Sequence, residues 1–156
     1  MRLRPAETAD EGLILGWAND PVTRGASFQP DLIAPDEHRR WFARRLAAPE
    51  SSRIWIGVED SRAIGIVRIE AAPDRALVVG ITVDEAERGR GHSRPLLEAG
   101  LAAARVAFPG ARFRAWIRAD NYRSIALFKS VGFNKPASRP AAPPGAGPDA
   151  IVLESD

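Results

Sequence analysis

Val83-Asp84-Glu85-Ala86-Glu87-Arg88-Gly89-Arg90-Gly91-His92-Ser93-Arg94-Pro95-Leu96-Leu97 joins a strand-forming run to a helical pattern. Two glycines one residue apart let the backbone turn tightly and leave their amides clear of side chains. Those amides lead into the positive end of a helix, where an anion is favoured. Pro95 suits a first helical turn, because its missing N–H costs nothing there. Arg88, Arg90 and Arg94 add positive charge to the same junction. The loop is not a P-loop, since no Gly-Lys-Ser/Thr follows. It also lacks the third glycine of a dinucleotide fingerprint.

Upstream of this junction, Arg53–Glu59, Ala63–Ala71 and Ala76–Val83 read as three strands. Glu59-Asp60-Ser61-Arg62 and Pro73-Asp74 turn between them, giving a β-meander. Met1–Arg4 reads as a short first strand. Thr8 or Asp10 is expected to cap a helix ending near Ala18, and Asn19-Asp20-Pro21 stops it. A loop is expected through Pro35, then Asp36 caps a helix over Glu37–Ala47. Downstream, a helix runs from Gly91 to about Ala107, followed by a strand over Arg112–Arg118. A helix over Asn121–Val131 ends at Gly132, and Phe133–Lys135 starts a further strand. The proline-rich stretch 136–149 cannot be helical and leads to a last strand at Ala150–Glu154. The order β-α-α-β-β-β-α-β-α-β-β predicts an α/β fold, a mixed central sheet with helices on both faces.

With 156 residues, 45% of them hydrophobic, the chain is expected to form a single domain over 1–156. It has no cysteine, and its histidines are His38 and His92 alone, so neither a disulfide nor a metal centre is expected. Of 22 basic residues only Lys129 and Lys135 are lysines. The bases are interspersed with 20 acids, which argues against a nucleic-acid surface. No apolar run is long enough for a membrane span and no signal peptide is visible, so a cytoplasmic location is expected. A homodimer is left open.

A second signal stands at Asn121-Tyr122-Arg123-Ser124-Ile125-Ala126-Leu127-Phe128-Lys129-Ser130-Val131-Gly132-Phe133. Asn121 is a good helix cap and Gly132 a good stop. Together with Arg88-Gly89-Arg90-Gly91-His92-Ser93, about thirty residues earlier, this pattern resembles the GNAT superfamily of acyl-CoA-dependent N-acyltransferases. The phosphate loop of that family reads Gln/Arg-x-x-Gly-x-Gly/Ala. Its later motif is matched at Asn121, Ser124, Leu127, Phe128, Gly132 and Phe133. There are two departures. Ser93 stands where the family has a small Gly or Ala. Phe128 stands where many members have a tyrosine that protonates the departing thiolate, a role phenylalanine cannot fill. Tyr122, the only tyrosine, is in the wrong register to replace it.

The resemblance implies acetyl-CoA as cofactor and direct transfer of the acetyl group to a primary amine. It implies that Arg88, Gly89, Arg90, Gly91, His92, Ser93 and Arg94 hold the pyrophosphate. It also implies that Ile81, Thr82 and Val83 offer main-chain groups to the pantetheine, and that Asn121, Ser124 and Phe128 line the cofactor. Asn19-Asp20-Pro21 with Arg24, Phe28, Glu37-His38, Trp41-Phe42 and Val67-Arg68 is similar to the branch that acetylates nucleotide-linked amino sugars. Similar elements occur in the ribosomal-protein N-terminal acetyltransferases, so a peptide acceptor stays open. So does a CoA-binding regulatory module without catalysis. On the amino-sugar reading, Arg24 and Arg68 pair a phosphate. Trp17, Phe28, Trp41 and Phe42 offer stacking faces, and Glu70 or His38 takes the amine's proton.

Overall fold

The middle strands are buried on both faces, and that requirement organises the molecule. The computed structural model describes residues 1–156. Six strands, β1 (Arg2–Pro5), β2 (Ser52–Glu59), β3 (Arg62–Ala71), β4 (Leu77–Val83), β5 (Phe113–Ile117) and β6 (Ile151–Ser155), lie in sequence order across one sheet. Five helices accompany them: α1 (Glu11–Ala18), α2 (Pro21–Gly25), α3 (Pro35–Leu46), α4 (Ser93–Ala107) and α5 (Tyr122–Ser130). Strand alternation sends Trp55, Val67, Ile69 and Val79 to one face, under Leu97 and Leu101 of α4 and Phe128 of α5. Ile54, Ile56 and Ile66 go to the other face, against Ile14, Trp17 and Phe42 of α1 and α3.

All neighbours are antiparallel except β4 and β5, which α4 connects in parallel. That parallel pairing covers only Leu77↔Phe113 and Val78↔Arg114. Beyond Val78 the strands diverge, and the β5-facing edge of Val79–Val83 is left without a strand. Buried Arg114 closes the narrow end of this V. Its guanidinium donates to Glu154 at 2.6 Å and to both oxygens of Asp74, at 3.1 and 2.6 Å.

Four local expectations need correction. The strand expected at Phe133–Lys135 is one isolated bridge, Asn134↔Glu154, because the chain leaves the sheet at the proline-rich stretch. The loop expected before Pro35 contains α2, started by Pro21 and capped by Asp20, whose carboxylate accepts from the Thr23 amide. Asp36 lies inside α3, whose cap is Ala34, and bonds Arg39. Asp10 precedes α1 without capping it, because Arg4 and the Glu7 amide take its carboxylate.

Candidate active site

The gap between β4 and β5 opens into a cleft of about 670 Å³, walled by α1–α3, the loop after α2, and Pro143 and Pro144. The cleft brings together most of the residues singled out from sequence. Ile81, Thr82, Val83, Arg88, Asn121, Ser124 and Phe128 line one end of it. Arg24, Phe28, His38, Trp41, Arg68 and Glu70 line the other. Gly89, Arg90, Gly91, His92, Ser93 and Arg94 are not in its wall; they form the rim just beyond Arg88. Trp17 and Phe42 are core residues, so they offer no stacking face. Trp17 instead donates its indole N–H to Asp84.

The rim has the conformation its glycines predicted. Gly89 and Gly91 have φ of +72° and +79°, and a Cβ at either would meet nothing within 4 Å. The amides from Gly89 to Ser93 find no acceptor in the protein. Unused amides at a helix start, beside an unpaired strand edge, fit a diphosphate followed by an amide-bearing arm. Acidic residues hold the loop from beneath. Arg88 donates to Asp20 at 2.6 Å, and Arg88 keeps that carboxylate's pKa below its ordinary value. Arg88 is thereby a strut between the loop and α2 more than a free phosphate ligand. Buried Glu87 accepts from Arg62 at 2.9 Å, with His92 Nε2 3.2 Å and Arg90 4.0 Å from its second oxygen. On the α5 side of this end, Asn121 uses its carbonyl to cap the helix through the Ser124 amide at 3.2 Å. Phe128 packs edge-on against Phe133, centroids 5.0 Å apart. Tyr122 is 77% exposed, which places it away from the cleft.

At the opposite end of the cleft the charged groups differ sharply in how occupied they are. The Arg24 side chain is committed, donating to the carbonyls of Ala18 (2.6 Å) and Gln29 (2.8 Å) and to Ser27 Oγ (3.0 Å). It shapes the loop after α2 and is not free to pair a phosphate. Glu70 is ion-paired with Arg45. His38 is buried, and its Nδ1–H donates to Glu11 at 2.9 Å. A carboxylate only accepts, so in neutral His38 the lone pair sits on Nε2, which has no partner in the protein. Arg68 has neither a carboxylate nor a carbonyl partner. Its guanidinium lies 6.0 Å from the Trp41 ring centroid and runs across Gly80, where a Cβ would be 2.7 Å from its terminal nitrogen. Water reaches Arg68 through the cleft mouth, yet protein surrounds it. That partial desolvation lowers its pKa, Arg24 and Arg45 add to the effect, and Glu70 opposes it.

Asp20, Glu11 and Glu87 were not singled out as site supports, and no local signal marks them. Asp20 and Arg88 are 68 positions apart in the chain, His38 and Glu11 are 27 apart, and Arg62 and Glu87 are 25 apart.

Residues 1–134 match the model of a known domain family, acetyltransferase (GNAT) domain. A curated relative, an uncharacterised protein of Mycobacterium leprae, is 35% identical over 98% of this chain. The chain spans 43% of that relative's length. Among solved structures, the ribosomal-protein-alanine N-acetyltransferase from Brucella melitensis superposes with a TM-score of 0.80 at 21% identity, covering 99% of both chains. The spermidine N-acetyltransferase from Vibrio cholerae, in complex with CoA and spermine, gives 0.81 at 18% identity, over 99% of this chain and 94% of that one. At these identities the two structures share the fold with this chain.

Proposed function

Because the chain belongs to the GNAT acetyltransferase family, whose acetyl donor is acetyl-CoA, we propose that it transfers the acetyl group directly to the primary amine of a small molecule. The observation that carries this reading is the splay of β4 from β5 beside the unused amides of Gly89–Ser93, both giving onto one cleft. When bound there, acetyl-CoA supplies an activated thioester. The amides of Gly89–Ser93 bind its pyrophosphate, and the open edge of Ile81–Val83 holds the pantetheine arm. A main-chain N–H on that edge polarises the thioester carbonyl. Asn121, Ser124 and Phe128 form the opposite wall. The amine attacks only after losing a proton, and His38 Nε2, oriented by Glu11, takes it. Glu70 is the weaker base, since Arg45 already occupies one of its oxygens.

Among acceptors, we favour a nucleotide-linked amino sugar. Phe28 and Trp41 offer faces for a ring, and the loop that Arg24 shapes makes a compact wall in place of an extended peptide groove. Free-thiol release from acetyl-CoA tests the assignment with three samples: an amino-sugar nucleotide, an N-terminal peptide and no acceptor. Release that depends on the amino-sugar nucleotide is expected. Release with the peptide alone would give the chain a protein acceptor. CoA binding without release in any sample would make it a binding module.

A further inference from the structure

We propose that Arg68 is the acceptor-reading residue of the cleft, taking an anionic group, phosphate or carboxylate, carried by the amine substrate. The inference rests on the reading that the cleft binds acetyl-CoA and an amine. Five arginines and two glutamates line the cleft, with no lysine and no aspartate. Arg88 is held by Asp20, and Arg24 is spent on carbonyls. Arg45 is paired with Glu70, although its Nε is buried without a partner. Arg44 on α3 and Arg68 on β3 carry no ion pair, and of these two it is Arg68 that lies against the sheet, beside Gly80 where β4 leaves β5. Gly80, opposite it in the β3–β4 register, leaves the space its guanidinium fills.

Arg68 is exposed to the open cleft, so its donors are met by water until a ligand replaces that water with a charge-assisted bond. A planar fork of donors suits a phosphate or carboxylate oxygen pair, and the Trp41 ring lies 6.0 Å from it. The same field repels a polyamine, whose added ammonium groups would meet Arg44, Arg45 and Arg68 with only Glu37 and Glu70 in opposition. The enzyme accordingly selects amines that carry an anion.

Titration calorimetry on CoA-saturated protein tests this without knowledge of the natural acceptor, because CoA keeps other diphosphates out of the Gly89–Ser93 loop. The probes are uridine diphosphate for phosphate, glutamate for carboxylate and spermidine for a polycation. At least one anion is expected to bind more tightly than spermidine, and which anion binds distinguishes the two sources. Arg68→Met should weaken that anion at least tenfold, about 1.4 kcal/mol, with Arg68→Lys recovering part of the loss. The Arg68→Met protein should bind CoA as the wild type does and melt no lower, since it has lost a charge that nothing in the fold pairs. Spermidine binding as tightly as either anion would overturn the proposal. So would anion affinity unchanged in Arg68→Met, or a melting temperature that falls in that variant. Failure of CoA itself to bind would sink the cofactor reading, and the same anion titrations on ligand-free wild-type and Arg68→Met protein would then decide the role of Arg68, equal affinities overturning it.

Discussion

Taking the proton from the acceptor amine requires a lone pair at the cleft, and whereas Glu70 shares its carboxylate with Arg45, His38 holds one on a nitrogen without a partner. Glu11 holds its Nδ1–H, so the available electrons lie on Nε2. With whichever amine proves active, His38→Gln should lower kcat by about 100-fold and leave CoA affinity unchanged. Glu70→Gln should do less, and the opposite ranking in a pair of steady-state assays would move the base to Glu70. Phe128 marks the other end of the proton path. It cannot protonate a thiolate, so Phe128→Tyr should keep or raise turnover; a folded variant with lost turnover would contradict that. At this scale the sequence was readable wherever a residue answers to its own backbone. Gly89 and Gly91 sit at positive φ, and Asn121 caps the helix it begins. It was unreadable where a side chain answers to a distant partner. Arg24 and Arg68 are both arginines near an expected acceptor site, and only the folded chain shows one saturated and the other free.

Among the elements, β4 and β5 matter most, because two register pairs hold them together before they part. The strands themselves were legible from their apolar runs. Their divergence was not, since nothing local to either strand records where its neighbour leaves. Arg114 clamps the closed end through Asp74 on the β3–β4 turn and Glu154 on β6. Replacing it with Met removes charge-assisted hydrogen bonds to Glu154 and to an Asp74 that is 45% exposed and can turn to water, so the cost is that of hydrogen bonds to charged groups, about 1.5–3 kcal/mol. Chemical denaturation of Arg114→Met should show a loss of that order. A loss within experimental scatter would mean that the V is held by strand pairing alone. The short helix α2 was missed because five residues carry no periodicity. Its Asp20 cap acquires a second partner, Arg88, only when the loop from β4 arrives.

In the whole molecule, carboxylates pinned by arginine tie the stability of the fold to pH. Arg114 draws the Asp74 pKa down to about 2 from 3.8. Between those values the unfolded chain binds the proton that the folded chain refuses. The Asp74 contribution is therefore fully present above the ordinary carboxylate range and is lost as pH falls through about 2. Asp10 and Asp20, lowered by Arg4 and Arg88, act in the same direction. Melting temperature followed into acid should fall across this window, and less steeply in Asp74→Asn; identical slopes would remove Asp74 from the account. The family match ends at residue 134, yet the sheet is completed by β6 after it, and Pro143 and Pro144 of the intervening stretch stand in the cleft wall. The claim on which all else depends is that the glycine loop and the strand gap form one acetyl-CoA site. Titration of CoA into wild-type and Gly91→Val protein tests it directly. Wild type should bind, and a still-folded Gly91→Val should bind at least tenfold more weakly, about 1.4 kcal/mol. Equal affinity in the two folded proteins would contradict the claim.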